Sequence, residues 1–293
     1  MQRIGVITNK EKDIDLKYTK ILVESIISHG GTAVMCSDIA REFKIKEEHS
    51  SEEDVLNNSE LIISLGGDGT FLKVARQVID KDVPLLGINL GTLGFLTEVD
   101  KNEINNAVEH IIRNEFEVEN RMMLDTTIMR EGKVIARDTA LNDVVISRGA
   151  LSRILHLKMY MNNAFADTFP GDGLIISSPT GSTGYSLSAG GPIVEPGIDL
   201  IIVTPICPHI LYSRSFITSG KGNIKVVVDE EYCHTARVTV DGQKGYELMG
   251  GDNVEIIKSN YSLQIIRINP RNFFNVLRTK IYDRRENFTK NEV

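Results

Sequence analysis

The amino-acid sequence predicts an α/β N-terminal domain built on a parallel, Rossmann-like sheet, followed by a β-rich C-terminal domain. Three observations carry that expectation. Strand-length apolar runs alternate with helical periodicities early in the chain, β-branched alternating segments replace them from about residue 120, and 293 residues suffice for about two domains. With 41% hydrophobic and 25% charged residues the chain can bury substantial cores, which excludes disorder as its main theme.

Arg3-Ile4-Gly5-Val6-Ile7 is an apolar run ending in Thr8-Asn9; Tyr18, Ile21, Leu22 and Ile26 then recur at helical spacing until His29-Gly30-Gly31 stops the helix. A strand at Thr32–Met35, a polar segment around 44–58, a buried strand at Glu60–Leu65, a helix from Phe71 to Ile79 and a strand at Pro84–Asn89 complete a βαβ series. Such a series forms a parallel sheet covered by helices, with its ligand site off the carboxyl ends of the strands. In the second domain, strands are expected at Asp125–Arg130, Lys133–Ala136, Asp143–Ser147, Leu155–Met161, Leu174–Ser177, Ile224–Val228, Arg237–Val240, Asn253–Ile257 and Leu263–Ile268. Asn272 to Tyr282, with Phe273, Phe274, Leu277 and Ile281 on one face, reads as a closing helix. The domains are drawn at 1–100, with 269–293 packing back on it, and 101–268.

Composition removes several function classes. Lys plus Arg total 33 against 40 Asp plus Glu, and a net charge of -7 opposes a sequence-independent grip on nucleic acid. Trp is absent and aromatic residues are 6%, so surfaces for stacking bases are scarce. No apolar stretch approaches the roughly 18 residues of a spanning helix, and MQRIGVITNK is too polar for a signal peptide, so no membrane role is expected and the location is read as cytoplasmic. Cys36, Cys207 and Cys233 form no CxxC and read as buried free thiols; the histidines never fall at zinc-hydrolase spacing.

The strongest local signal is Gly66-Gly67-Asp68-Gly69-Thr70, set between a buried strand and a helix. Such a junction aims backbone N–H groups and the positive end of the helix dipole at a ligand, as a phosphate cradle does. It is neither a Walker loop nor a GxGxxG fingerprint. Asp68 is the unusual member, because a carboxylate in an anion cradle repels phosphate unless it handles a metal or a hydroxyl proton; N-capping of the helix is the alternative. Lys73 and Arg76, read in the first turns of that helix, oppose its macrodipole, which favours an anionic ligand at that end; solvated side chains on an exposed face are the alternative. A second cluster, Asn89-Leu90-Gly91-Thr92-Leu93-Gly94-Phe95-Leu96, follows the next parallel strand and should lie beside the first. The third, from Pro170 to Pro192, offers hydroxyls, the Tyr185 ring and the Asp172 carboxylate to a ligand. A nucleophilic serine there fails, since Thr180 breaks the GxSxG elbow. Asn142-Asp143 and Asp241-Gly242-Gln243 read singly as turn chemistry.

Taken together, Gly66–Thr70, Gly91–Phe95, Asn142-Asp143, Asp172–Gly191, Thr204–His209 and Asp241-Gly242-Gln243 resemble the ordered motif set of the bacterial NAD kinases, over roughly residues 1–282. The first motif alone also occurs in diacylglycerol and sphingosine kinases, and phosphofructokinases carry a related loop; the long third cluster decides between them. The resemblance implies a phosphofructokinase- and diacylglycerol kinase-like N-terminal domain, a β-rich NAD-binding C-terminal domain, and phosphorylation of the 2′-hydroxyl of the adenosine ribose of NAD. It implies ATP or another phosphoryl donor, a divalent cation such as Mg²⁺ with no ligands assigned, and a homodimer or homotetramer. It makes Asp68 the general base, with Gly69, Lys73 and Phe95 along the nucleotide. Asn142 and Asp143 would hold hydroxyl and adenine groups; Asp172, Thr183, Gly184, Tyr185, Ser186, Leu187 and Ser188 would bind the rest of the dinucleotide, with Arg153, His209 and Gln243 as further contacts. Asp143 stands where Glu is usual in that family, Gly184 where Ala is common and Ser178 where Thr is common. A lipid kinase sharing the first motif and a non-catalytic dinucleotide sensor are the rival readings; the acidic charge and polar third cluster oppose the former, the retained Asp68 the latter.

Overall fold

The computed structural model describes residues 2–43, 48–49, 51–92, 94–149, 153–210, 213–268 and 273–280. The chain forms two compact units, residues 1–119 with 264–293, and residues 120–263.

The first unit is a parallel sheet. Arg3–Thr8 lies between Leu61–Gly66 and Thr32–Cys36, the latter followed by Glu48–His49; on the other side Leu61–Gly66 is flanked by Leu85–Asn89. Val99–Asp100 joins Leu85–Asn89 in parallel, and the returning chain joins it too, where Ile265 pairs with Leu85. Leu61–Gly66 is buried along its whole length, as a central parallel strand must be when helices cover both faces. The helix Lys17–Ser28 buries Leu22, Val23 and Ile26, and Gly30 leaves it at φ +84°, a left-handed stop that glycine adopts without strain.

Two helices differ from expectation. The one after the glycine turn spans Asp68–Gln77, so Arg76 lies in its last turn, where a cation complements the macrodipole instead of opposing it. Ile104–Ile112 carries Ile104, Ala107, Val108 and Ile111 at helical spacing into the same core as Leu61, Ile63 and Ile266. This helix belongs to the first unit, so the unit extends to residue 119, beyond the change of pattern near 100. Of the closing helix, residues 273–280 are helical; Asn272, Ile281 and Tyr282 lie outside the described residues.

The second unit stacks antiparallel sheets. One runs Phe216–Ser219, Leu200–Ile206, Gly173–Ser177, Asp143–Arg148, Ala236–Val240, Lys244–Leu248. Facing it are Ala164–Gly171, Leu155–Met161, Asn223–Val228 and the first residues of Asn253–Arg267. Ile146, Leu174, Ile176 and Val238 of one sheet share a core with Leu157, Met159, Val226 and Val254 of the other, as in face-to-face sheet packing. Three strands lie outside those expected from the sequence. Ala164–Gly171 is a mostly exposed edge, and Leu200–Ile206, an apolar run, contains Pro205. Phe216–Ser219 is short and lies at the sheet's edge. Among the described residues no helix is long and apolar enough to cross a membrane.

Ile63, fully buried in the central parallel strand, tests this core. Ile63→Ala should destabilise the fold by about 2–5 kcal/mol, read from the urea midpoint at unchanged slope.

Candidate active site

In the first unit the glycine turn is shaped by close contacts. Gly67 is extended at the N-cap and gives no side-chain cap; the helix closes with Phe71 N–H donating to the Gly67 carbonyl at 3.0 Å. A Cβ on Gly66 would meet Thr70 Oγ1 at 2.3 Å, so only glycine fits there. Gly69 is exposed with open space around it, and Lys12 Nζ lies 3.0 Å from where a Gly67 Cβ would stand.

Asp68 does not cap its own helix. Its carboxylate crosses to the second glycine cluster, where Oδ2 accepts from Phe95 N–H at 2.9 Å and Oδ1 from Leu96 N–H at 3.2 Å, Thr97 N–H at 3.3 Å and the Thr97 hydroxyl at 3.2 Å. The two loops therefore do lie side by side. A Cβ on Gly94 would fall 1.7 Å from Asp68 Oδ1, which explains a glycine at that place. Asn89 closes the start of the loop, accepting from Gly91 N–H and donating to the Gly91 carbonyl, each at 3.1 Å. Phe95 serves Asp68 through its backbone, while its ring lies under Lys280 Nζ, 4.5 Å from the centroid.

Lys73 is not aimed at the cradle: Nζ donates to both Glu52 carboxylate oxygens at 3.2 Å, and Gln77 Nε2 donates to the same group. A cation that does lie beside the glycine turn is Lys12, which the sequence did not single out because it lies before the first helix, far from any motif. Thr8, Asn9, Glu52, Gly69, Thr70 and Lys73 line a cleft of about 370 Å³ at the carboxyl ends of the strands, where open parallel sheets bind ligands.

In the second unit, Asp241 organises the other candidates. The turn places Asp241 at φ +52° and Gly242 at φ +64°, with Gln243 N–H donating to the Val240 carbonyl at 3.0 Å, a type I′ hairpin. Its carboxylate accepts from Leu141 N–H at 2.9 Å, Asn142 N–H at 2.8 Å and Asp143 N–H at 3.2 Å. Gly181 packs on this segment so closely that a Cβ would sit 2.1 Å from the Asn142 carbonyl oxygen. Gly184 stands nearby, its Cβ position 3.6 Å from Asp143 Oδ2 and 3.8 Å from Asn142 Nδ2. Asn142, Asp143 and Gly184 are thus brought together. Asn142 Oδ1 is buried without a hydrogen-bond partner among the described residues. Burial first, and the Asp241 charge second, push the Asp143 carboxyl up to about 7.

The remaining candidates separate by exposure. Tyr185 and Ser188 are exposed, and Thr183 and Leu187 half-buried. Ser186 faces inward, its hydroxyl buried 3.1 Å from Thr204 Oγ1. Asp172 accepts from Arg148 Nε at 2.6 Å, which holds the guanidinium above its usual range. Exposed His209 is fixed through its backbone, N–H to the Pro170 carbonyl at 2.7 Å. Gln243 and Arg153 are exposed; Arg153 borders a cleft of about 640 Å³ with His156, Tyr232 and His234. Among the described residues no group of three or more His, Cys, Asp or Glu could hold a metal ion.

Residues 4–116 match the family model of the ATP-NAD kinase N-terminal domain and residues 141–268 that of the ATP-NAD kinase C-terminal domain. An NAD kinase of Acetivibrio thermocellus is 61% identical over 286 residues, 98% of this chain and 99% of that protein. One of Ruminiclostridium cellulolyticum is 55% identical, over 98% of this chain and all of the other. The crystal structure of a yeast NADH kinase complexed with NADH matches with a TM-score of 0.84 at 24% identity, over 95% of this chain and 86% of that one. That of an NAD kinase from Archaeoglobus fulgidus in complex with ATP gives 0.75 at 24%, over 94% and 97%. The likeness to these two structures shows the shared fold, an α/β domain followed by a β-rich one.

A native carboxyl near 7 keeps a proton that the unfolded chain releases near pH 4, so this group's contribution to stability falls as pH rises from about 4 to 7 and is level above. Asp143→Asn has no such penalty. Its unfolding free energy should gain on the wild type across that window by up to a few kcal/mol, at about 1.4 kcal/mol per pH unit. Chemical denaturation at about pH 4, 6 and 8 checks this; a gap that stays constant contradicts it.

Proposed function

The chain belongs to the NAD kinase family, and on that premise we propose that Asp68 accepts the proton of the adenosine 2′-hydroxyl of NAD while ATP phosphorylates that oxygen. The new bond joins the 2′-oxygen to the γ-phosphorus, the bond from that phosphorus to the β,γ-bridging oxygen breaks, and NADP and ADP leave. The observation that carries the reading is the Asp68 carboxylate itself, set at the first residue of a helix in a glycine cradle and fixed by four donors from one neighbouring loop. Phosphoryl transfer passes through a loose transition state that needs alignment and charge neutralisation more than a strong base, so a rigidly aimed carboxylate suits it.

Lys12 and the cradle N–H groups would meet the donor phosphates, with Gly69 leaving room for close approach. Lys73 can join them after leaving Glu52, since the pair is more than a third exposed and weakly held. The reading includes Mg²⁺, which when bound neutralises phosphate charge. The donor set fits a cation carried mainly by phosphates and water, because no group of three or more His, Cys, Asp or Glu among the described residues could hold it. In the second unit, Asn142 Oδ1 has unspent accepting capacity and Asp143 can donate near neutral pH, which supports their roles toward NAD hydroxyl and adenine groups. The exposed Tyr185 ring and the Asp172 carboxylate support contacts along the dinucleotide. The three thiols are free but not buried as expected, Cys207 and Cys233 being exposed and Cys36 half-buried; free thiols accord with a reducing, cytoplasmic location.

Asp68→Asn should lower kcat for NADP formation by about 10²–10⁴-fold while NAD still binds, measured with an NADP-specific dehydrogenase as reporter. Near-normal turnover in that variant removes the assigned role. The reading also includes a homodimer or homotetramer; light scattering should give such a mass at micromolar concentration, and a stable monomer contradicts it.

A further inference from the structure

All four donors that fix Asp68 come from three consecutive residues, Phe95, Leu96 and Thr97. What holds those residues therefore decides where the carboxylate points. Thr97 is 2% exposed, and its hydroxyl accepts from Gly94 N–H at 3.2 Å while donating to Asp68 Oδ1, so its rotor is set from both sides. Its Cα lies against Gly87, where a Cβ would come within 3.0 Å. The next residue is Glu98, whose N–H donates to the Gly87 carbonyl at 3.2 Å. Its side chain is 6% exposed. One carboxylate oxygen accepts from Ile268 N–H at 3.1 Å, the other from Arg267 Nη1 at 3.2 Å, and Arg267 Nε is turned to Glu119 at 2.8 Å. A carboxylate taken out of water is stable only where such partners are in place, so this anchor has one geometry and transmits it along a single peptide to Thr97.

We infer that Glu98, held by Arg267 and the Ile268 amide, is a positioning residue for phosphoryl transfer: it sets the loop that aims Asp68. Glu98 is engaged with Arg267, Ile268 and Gly87 and touches neither substrate in this reading, so it acts on the alignment of the acceptor oxygen and leaves the binding of either nucleotide largely alone. The inference rests on Asp68 being the proton acceptor.

The test compares Glu98→Ala, Glu98→Gln and Asp68→Asn in the full chain, with KM for NAD and ATP and kcat measured well below the unfolding midpoint. Misplacing a catalytic group by about 1 Å can lower a rate about 100-fold, so Glu98→Ala should lose about 10- to 100-fold in kcat with each KM held within about threefold. Glu98→Gln keeps the shape but only one accepting oxygen, its Nε2 facing a partner that also donates, and should recover part of that loss. Should Glu98→Ala not fold, Glu98→Asp, which keeps the charge on a shorter arm, is read for the same split. An unchanged kcat, a loss that falls on KM, or a Gln variant as slow as the Ala one overturns the inference. A fast Asp68→Asn enzyme instead overturns the role of Asp68, so the two failures are told apart.

Discussion

The first unit is organised around one ionic hydrogen-bonded contact, the Asp68 carboxylate on the loop Phe95–Thr97. A negative side chain in a phosphate cradle is an electrostatic contradiction, because the positive end of the helix dipole there favours an anion from outside. The contradiction is relieved by directing the carboxylate away from its own helix. Three backbone N–H groups and a hydroxyl of the neighbouring loop absorb its charge. The two glycine clusters are needed for this crossing: Gly94 admits the carboxylate where any Cβ would collide, and Gly66 admits Thr70.

The second unit places two carboxylates in opposite environments. Asp241 gathers three backbone N–H donors and pins the segment Leu141–Asp143; Asp143, the last residue of that segment, is buried beside that charge, and its carboxyl is pushed up to about 7. Environments that push neighbouring carboxyl groups apart give one fixed acceptor and one available donor, a division of labour seen wherever acids of one type serve different tasks. The Asn142 amide sits between them with an unengaged oxygen. This segment is therefore held through its backbone and leaves one buried side-chain oxygen, on Asn142, without a partner among the described residues.

How much of this was legible in the sequence follows from the range of each interaction. The glycine clusters stood out because strand-to-helix junctions are local, and the βαβ series was readable because apolar periodicity is local too. The crossing of Asp68 was not, since its partners lie 27 to 29 residues away. Lys73 illustrates the same limit: its position in a helix suggested a ligand, yet a glutamate 21 residues earlier neutralises it. Arg76 was misplaced by a helix boundary, because a helix that ends at Gln77 turns an unfavourable charge into a favourable one. The helix Ile104–Ile112 had a readable apolar stripe and a capping box at Asp100 and Glu103 just before it. Glu98 offered no signal at all, its partners being as many as 170 residues distant.

That last separation sets the order in which the protein becomes competent during its own synthesis. The strands and helices up to residue 119 leave the ribosome early, carrying both glycine turns, but the first unit is discontinuous and Arg267 and Ile268 arrive 169 and 170 residues after Glu98. At about 5–20 residues per second, the nascent chain spends roughly 10–30 s with the Glu98 anchor unmade. The intervening residues of the second unit can collapse in that interval, so the loop beneath Asp68 is among the last parts of the first unit to reach its final form.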